Sequence, residues 1–279
     1  MTTTHNRRWP KVVMQIAFLI FAVIQLYPLV WLVFSSFKTN IEITGSNVMG
    51  LPNEWRWANY DYALFKANIA RNFLNSLMYT TVTVIISALL SAMVSFAVAR
   101  MKWKLNNVVL TFFMLGLMIP VHATLLPVFQ MLKMTSLLNT PWALIIPYTV
   151  SALPTTIFIM IGFFRALPGE LEEASVVDGC NIYQVFFRIM LPLVKPAIVT
   201  TSIFTFLSAW NELMFANTFI NDPDLATITV AINSFKSAYA TEFGPMFAGM
   251  VVATLPMIII YLFLSNQVQK SIIAGAVKG

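Results

Sequence analysis

Six long apolar stretches, each broken by short polar segments, dominate the chain. A membrane-crossing helix needs roughly 20 predominantly apolar residues. Six segments meet that length: Val12–Phe37, Phe73–Ala99, Val108–Leu132, Trp142–Phe164, Ile198–Phe219 and Phe247–Leu264. The first follows Arg7, Arg8 and Lys11, as a secretory leader would. It is longer than the apolar core of a leader and lacks an Ala-x-Ala exit, so it reads as a retained span. The pattern predicts an all-α integral membrane protein of six transmembrane helices. With no low-complexity stretch or strong internal repeat, residues 1–279 read as a single transmembrane domain.

Composition agrees with the pattern. The chain is 58% hydrophobic and only 10% charged, against about 25% charged in a soluble domain. Mean hydropathy is +0.77. The net charge of +6 is spread over the flanks of the spans, which predicts topology determinants and membrane lipid as surroundings, and no nucleic-acid partner. With the N-terminus placed in the cytoplasm, eleven basic residues fall inside and six outside, and the short loop Arg100-Met-Lys-Trp-Lys104 contributes three of the eleven. The positive-inside rule then puts an N-terminal tail (1–11) and a C-terminal tail (266–279) in the cytoplasm, and the segments 38–72 and 220–243 outside. A single cysteine, Cys180, excludes an internal disulfide. His5 lies in the tail and His122 has no evident co-ligands, so no metal site is expected. No GxxxxGK[ST] run is present, so nucleotide hydrolysis by that loop is excluded. No catalytic constellation can be assembled.

The polar hairpin between the fourth and fifth spans, PGELEEASVVDGCNIYQVFFRIMLPLVKP (168–196), holds four of the eleven acids. Glu170, Glu172 and Glu173 follow Pro168 in the first turn of a short helix, where the positive end of the dipole favours acids. Gly179 is placed to end that helix in a left-handed cap, and Asn181 to start a second. The second helix carries Tyr183, Phe186, Phe187 and Ile189, and Pro192 and Pro196 kink or break it. From helix chemistry alone, the hairpin is either a docking element or a solvated loop whose acids complement the dipole.

The spacing resembles a known motif. Glu173-Ala174-Ser175, then Asp178-Gly179, then Ile189-Met-Leu191-Pro192 is similar to the EAA motif, EAA(x)3G(x)9IxLP, of ABC importer permeases, with Ser175 in place of the last alanine. The run Trp210-Asn211-Glu212 followed by Phe215, and the ending from Gln269 to Gly279, resemble the carbohydrate-type branch, whose smaller maltose-type subunit has the same six-span layout. The resemblance implies that hairpin 168–192 is a cytoplasmic coupling helix docking on a separate ATPase, with Glu173 in an ion pair, Ala174 and Ser175 in close contact and Gly179 at the corner. It implies a second permease subunit as heterodimeric partner, an ATPase subunit dimer that binds ATP and magnesium, and an extracytoplasmic solute-binding protein met by the outer loop from Asn221 to Gly244. The chain itself would bind no cofactor and would be no enzyme. Its location would be the cell membrane of a prokaryote.

Polar groups at bilayer depth mark pathways or helix contacts. Asn211 and Glu212 either bond solute hydroxyls, with Trp210 or Phe215 offering a ring face, or tie helices together as caps. Pro120, His122, Thr124 and Pro127 in the third span, and Pro147, Tyr148, Ser151 and Pro154 in the fourth, are expected to wall the pathway, since proline-broken helices are tolerated beside a cavity. The expected cargo is a sugar or oligosaccharide. A polyol or glycerol phosphate is the alternative within the family, and an ion-coupled secondary transporter the alternative outside it. A phosphate would call for a basic residue in the pathway, and the spans show none.

Overall fold

The computed structural model describes residues 8–45, 47–236 and 241–276, with side chains described over 11–45, 47–236 and 241–263. Among the described residues the regular structure is helical, joined by turns and loops, with one isolated bridge between Lys236 and Thr241. Four helices are long and apolar enough to cross a membrane: α1 (Arg8–Ser35), α4 (Ile69–Arg100), α7 (Trp142–Ala166) and α14 (Phe243–Ala276). Two more candidate spans are bent pairs. The helix α5 (Asn106–Gly116) is followed by Val121–Met134, which contains a 3₁₀ turn and α6 (Leu125–Met134), at 94°. The segment Ile182–Leu193 is followed by α11 (Lys195–Trp210) at 74°. Six spans result if each bent pair is counted as one.

Two expected continuous spans are therefore broken. Val108–Leu132 stops at Gly116 and resumes after Pro120, whose ring disfavours helix in the residue before it. Pro127 sits in the first turn of α6, where its missing N–H costs nothing. Ile198–Phe219 stops at Trp210 and resumes as α12 (Met214–Phe219). In contrast α7 runs unbroken through Pro147 and Pro154.

The chain packs as two compact units. The first comprises Met1–Ile69 with Ile232–Thr254. Its polar segment after α1 is ordered by local chemistry. Thr39 and Glu42 form a capping box on α2 (Asn40–Thr44), and Glu42 also takes the amide of Asn53 at 2.8 Å. The fully buried Lys38 donates its ammonium to the carbonyls of Asn47 and Val48 at 2.7 and 3.1 Å. Phe37 is ringed by Trp55, Trp57 and Tyr60 with centroids about 5 Å away. Gly244 has no room for a side chain: a Cβ there would lie 2.7 Å from the Lys38 carbonyl.

The second unit comprises Ala70–Ala231 with Leu255–Gly279. Down α4 runs a buried stripe of Ser76, Thr80, Thr83, Ser87, Ser91 and Ser95 at helical spacing. Small hydroxyl side chains let membrane helices approach closely and bond across the seam. Ser95 donates to the Ile157 carbonyl of α7 at 3.2 Å, and Ser91 to the Met160 sulfur at 3.4 Å. One apolar cluster joins Tyr79 of α4, Leu144 and Tyr148 of α7, and Phe215 and Phe219 of α12. Another joins Phe96, Met160 and Phe164 to Val185, Phe186 and Met190 of the hairpin. Gly116 lets α5 reach α7, since a Cβ there would come within 2.8 Å of the Pro154 ring.

Candidate functional site

The break in the fifth span makes a cavity. Between α11 and α12, Asn211, Glu212 and Leu213 leave the helix. A cavity of about 420 Å³ opens beside them, lined by His122, Tyr148, Ser151, Thr205, Ser208, Asn211, Glu212 and Phe215, with Val121, Ala152, Ala209, Leu213 and Met214. The spacing of Thr205, Ser208, Asn211 and Glu212 puts them on one face of α11 and its extension, because residues three and four apart share a helix face. Among the described residues no Lys or Arg lines the cavity.

Of the residues expected to wall a pathway, the fold brings six together here: His122, Tyr148, Ser151, Asn211, Glu212 and Phe215. Thr124 is elsewhere, its hydroxyl turned to the carbonyl of Val121 at 2.6 Å. Trp210 offers no ring face. It is buried, stacked on Phe206 with centroids 5.5 Å apart and meeting the edge of Phe73. Phe215 is also buried and packs against His122 and Phe219. Thr205 and Ser208 escaped the sequence reading. Their spacing from Asn211 and Glu212 was the available signal, but hydroxyls in an apolar span more often bond their own helix.

Three donors hold the Glu212 carboxylate. Its Oε1 accepts the Phe215 amide at 2.9 Å, and its Oε2 accepts the Ala216 amide at 3.0 Å and the Tyr148 hydroxyl at 2.8 Å. Its carbonyl accepts the Thr229 hydroxyl at 2.8 Å. Asn211 instead donates to the Leu207 carbonyl of its own helix and is exposed.

The segment after α12 is pinned to α4. The carboxylate of Asp224 lies 2.9 Å from the Arg71 guanidinium. Asn75 donates to the carbonyls of Asp224 and Ala226, Tyr79 to that of Leu225, and Ser76 accepts the Ile228 amide. Asp222-Pro-Asp224 forms a turn, with the Asp222 carboxylate taking the Asp224 amide. Ile228–Ser234 is helical (α13). The expected contact loop 221–244 is described except for residues 237–240.

The hairpin is a helix, a glycine corner and a second helix. The first helix, α8 (Glu170–Val177), ends at Gly179 with φ +82°, and the amides of Gly179 and Cys180 close back on the carbonyls of Val176 and Ser175. Asn181 and Gln184 form a reciprocal capping box on the next helix. Glu173 and Ala174 are exposed, as are Asp178, Gly179 and Pro192. Ser175 is buried and its hydroxyl turns back to the Leu171 carbonyl. Ile189 and Leu191 are half-buried against the apolar cluster beneath. Glu172, read from the sequence as dipole compensation, has a partner. Its carboxylate accepts from Arg100 Nε at 2.7 Å, and the same guanidinium reaches the carbonyls of Phe164, Leu167 and Pro168 at the end of α7. Among the described residues no group of three His, Cys, Asp or Glu is placed to hold a metal.

Comparison with known proteins gives this arrangement a family. Residues 85–273 match the model of the binding-protein-dependent transport system inner membrane component. A probable ABC transporter permease protein of Bacillus subtilis is 36% identical, over 91% of this chain and 84% of its own length. The diacetylchitobiose uptake system permease protein NgcG of Streptomyces coelicolor is 33% identical, over 92% and 85%. A bacterial ABC transporter chain involved in import of the acidic polysaccharide alginate superposes with a TM-score of 0.82, at 20% identity, over 95% of this chain and 99% of its own. With the family model spanning well over half of the chain and relatives above 30% identity along nearly all of it, the chain belongs to the binding-protein-dependent inner membrane permeases of ABC importers.

Proposed function

We propose that the chain forms half of the transmembrane pathway of an ABC importer for neutral oligosaccharides, in the cell membrane of a prokaryote. The observation that carries the reading is the cavity at the broken fifth span. It offers the hydroxyls of Ser151, Thr205 and Ser208 and the amide of Asn211, and among the described residues no Lys or Arg lines it. Such a lining suits uncharged polyhydroxyl cargo, because each buried hydroxyl of a sugar needs a partner while no charge has to be balanced. Relatives named for diacetylchitobiose and arabinooligosaccharide uptake favour the same cargo class. A glycerol phosphate would call for a Lys or Arg, and among the described residues none lines the cavity.

In this reading both termini and the 168–192 hairpin face the cytoplasm, where exposed Glu173 and Ala174 meet an ATPase subunit. ATP and magnesium belong to that partner; this chain performs no catalysis. A second permease subunit completes the pathway, and segment 220–236 faces the solute-binding protein outside. Closing of the ATPases on ATP moves the hairpin and switches the pathway between outward and inward access.

The test is uptake by cells carrying the whole transporter, offered radiolabelled diacetylchitobiose, arabinotriose, maltotriose, glycerol 3-phosphate and an alginate oligosaccharide. Import of a neutral member that persists under an uncoupler, with ATP maintained, is expected. Import of only glycerol 3-phosphate or the acidic oligosaccharide, or collapse with the ion gradient, would refute the reading.

A further inference from the structure

Among the described residues Glu212 is the only carboxylate lining the cavity, and a solute ligand is the obvious role for it. Its bonds say otherwise. An ionised carboxylate has about four acceptor sites, and three are occupied by the amides of Phe215 and Ala216 and by the Tyr148 hydroxyl. Hydrogen bonds to an ionised acceptor are roughly twice as strong as neutral ones, so solute hydroxyls would compete with firmly held donors.

The groups that Glu212 holds are themselves anchored. At the far end of α12, the Asn139 amide donates to the Phe219 carbonyl, and the Asn139 side chain takes the amides of Asn221 and Asp222. Beyond that, segment 222–228 is fixed to α4 through Arg71, Asn75, Ser76 and Tyr79. The chain then returns, and Thr229 donates to the Glu212 carbonyl. Helix α12 and segment 221–229 thus form a closed loop that starts and ends on Glu212.

We propose that Glu212 is a positioning residue: with Tyr148 and Thr229 it latches this loop to α7, so that a load on segment 221–229 reaches the cavity wall. The proposal rests on the importer reading above, in which that segment faces the binding protein. It assigns solute contact to Ser151, Ser208 and Asn211, and mechanical coupling to Glu212.

The test uses the assembled transporter in its own membrane, in a Cys180→Ser background carrying Ser208→Cys. A charged methanethiosulfonate reagent reports access to the cavity with no solute present. Glu212→Ala is expected to change the labelling rate about 5-fold or more, the scale of a lost helix-capping group. Glu212→Gln, which keeps one acceptor oxygen, falls between it and the parent. Tyr148→Phe combined with Glu212→Gln should be no worse than Glu212→Gln alone, because groups in one network are not additive. Parental labelling in Glu212→Ala, or additive effects in the double variant, would overturn the latch. If Glu212→Ala fails to reach the membrane by immunoblot, the double-variant comparison decides. In uptake of whichever neutral oligosaccharide the parent imports, Glu212→Gln should lower Vmax at constant KM; a raised KM at constant Vmax would make Glu212 a solute ligand. Should the parent import no neutral member, the cargo assignment fails while the labelling result still judges the latch.

Discussion

Arg100 shows how one side chain can join three elements. It ends α4, pairs with Glu172 of the hairpin and caps the carbonyls that end α7. The pair is mostly shielded, with side chains 12% and 24% exposed, so it is worth more than a surface ion pair. Arg100→Ala is expected to lower ATP-driven uptake at least about 10-fold, because hydrogen bonds to charged groups contribute roughly 1.5–3 kcal/mol. Arg100→Lys, a point charge without the planar fork, should restore only part of it. Equal uptake by Arg100→Ala and parent would show that the hairpin needs no such anchor. Exposed Glu173 sits differently, free to meet another chain. Glu173→Lys should abolish coupled uptake while the protein stays in the membrane at parental level, and normal uptake would remove docking from its role. Both acids lie in one helical turn. Adjacent residues point about 100° apart on a helix, which is why one turns inward and the other out.

At the scale of elements, the breaks matter more than the helices. Proline explains the interruption before Pro120, and Glu212 holds the one after Trp210. Gly116 closes α5 on α7. Gly116→Leu should separate them, costing about 1–3 kcal/mol as overpacking does; a thermal midpoint of the purified, detergent-held protein equal to that of the parent would deny the close approach. The corner at Gly179 needs positive φ, so Gly179→Pro, with φ locked negative, should uncouple ATP hydrolysis from uptake. The polar segment after α1 carries a pH-sensitive brace. The amides of Thr39 and Asn53 hold the Glu42 carboxyl below its usual range. A depressed folded value adds stability above the unfolded value of about 4.5, lost as pH falls through the folded value. Hydrogen exchange at Thr39 and Asn53 should therefore accelerate as pH drops below about 4.5, after correction for intrinsic rates, and Glu42→Gln should abolish that dependence.

For the whole molecule, orientation is the testable quantity. In intact right-side-out cells, Cys180 should resist a membrane-impermeant maleimide until the membrane is opened. Asp224→Cys in a Cys180→Ser background should label at once. The opposite pattern would invert the topology and place the hairpin away from any ATPase. The same experiment asks whether segment 220–236 can meet a solute-binding protein.

Much of this architecture was written in one dimension. Apolar length alone dictates that helices cross a bilayer, because backbone groups in lipid must bond within their own segment. Gly179 and Asn181 declared the hairpin corner through local backbone rules, and the EAA-like spacing declared the family. What the linear pattern did not contain was partnership across it. That Glu172 rather than Glu173 meets Arg100, and that Glu212 closes a loop through Tyr148 and Thr229, depends on residues 17 to 72 positions apart meeting in space. Trp210 is packed away against Phe73 from a different helix, while Ser208 faces the cavity. Hydropathy also made the third and fifth spans look continuous, since it counts apolar residues and is blind to where the backbone turns. Only the folded chain decides that, because a break within an apolar segment survives where other parts of the protein satisfy the amides it frees.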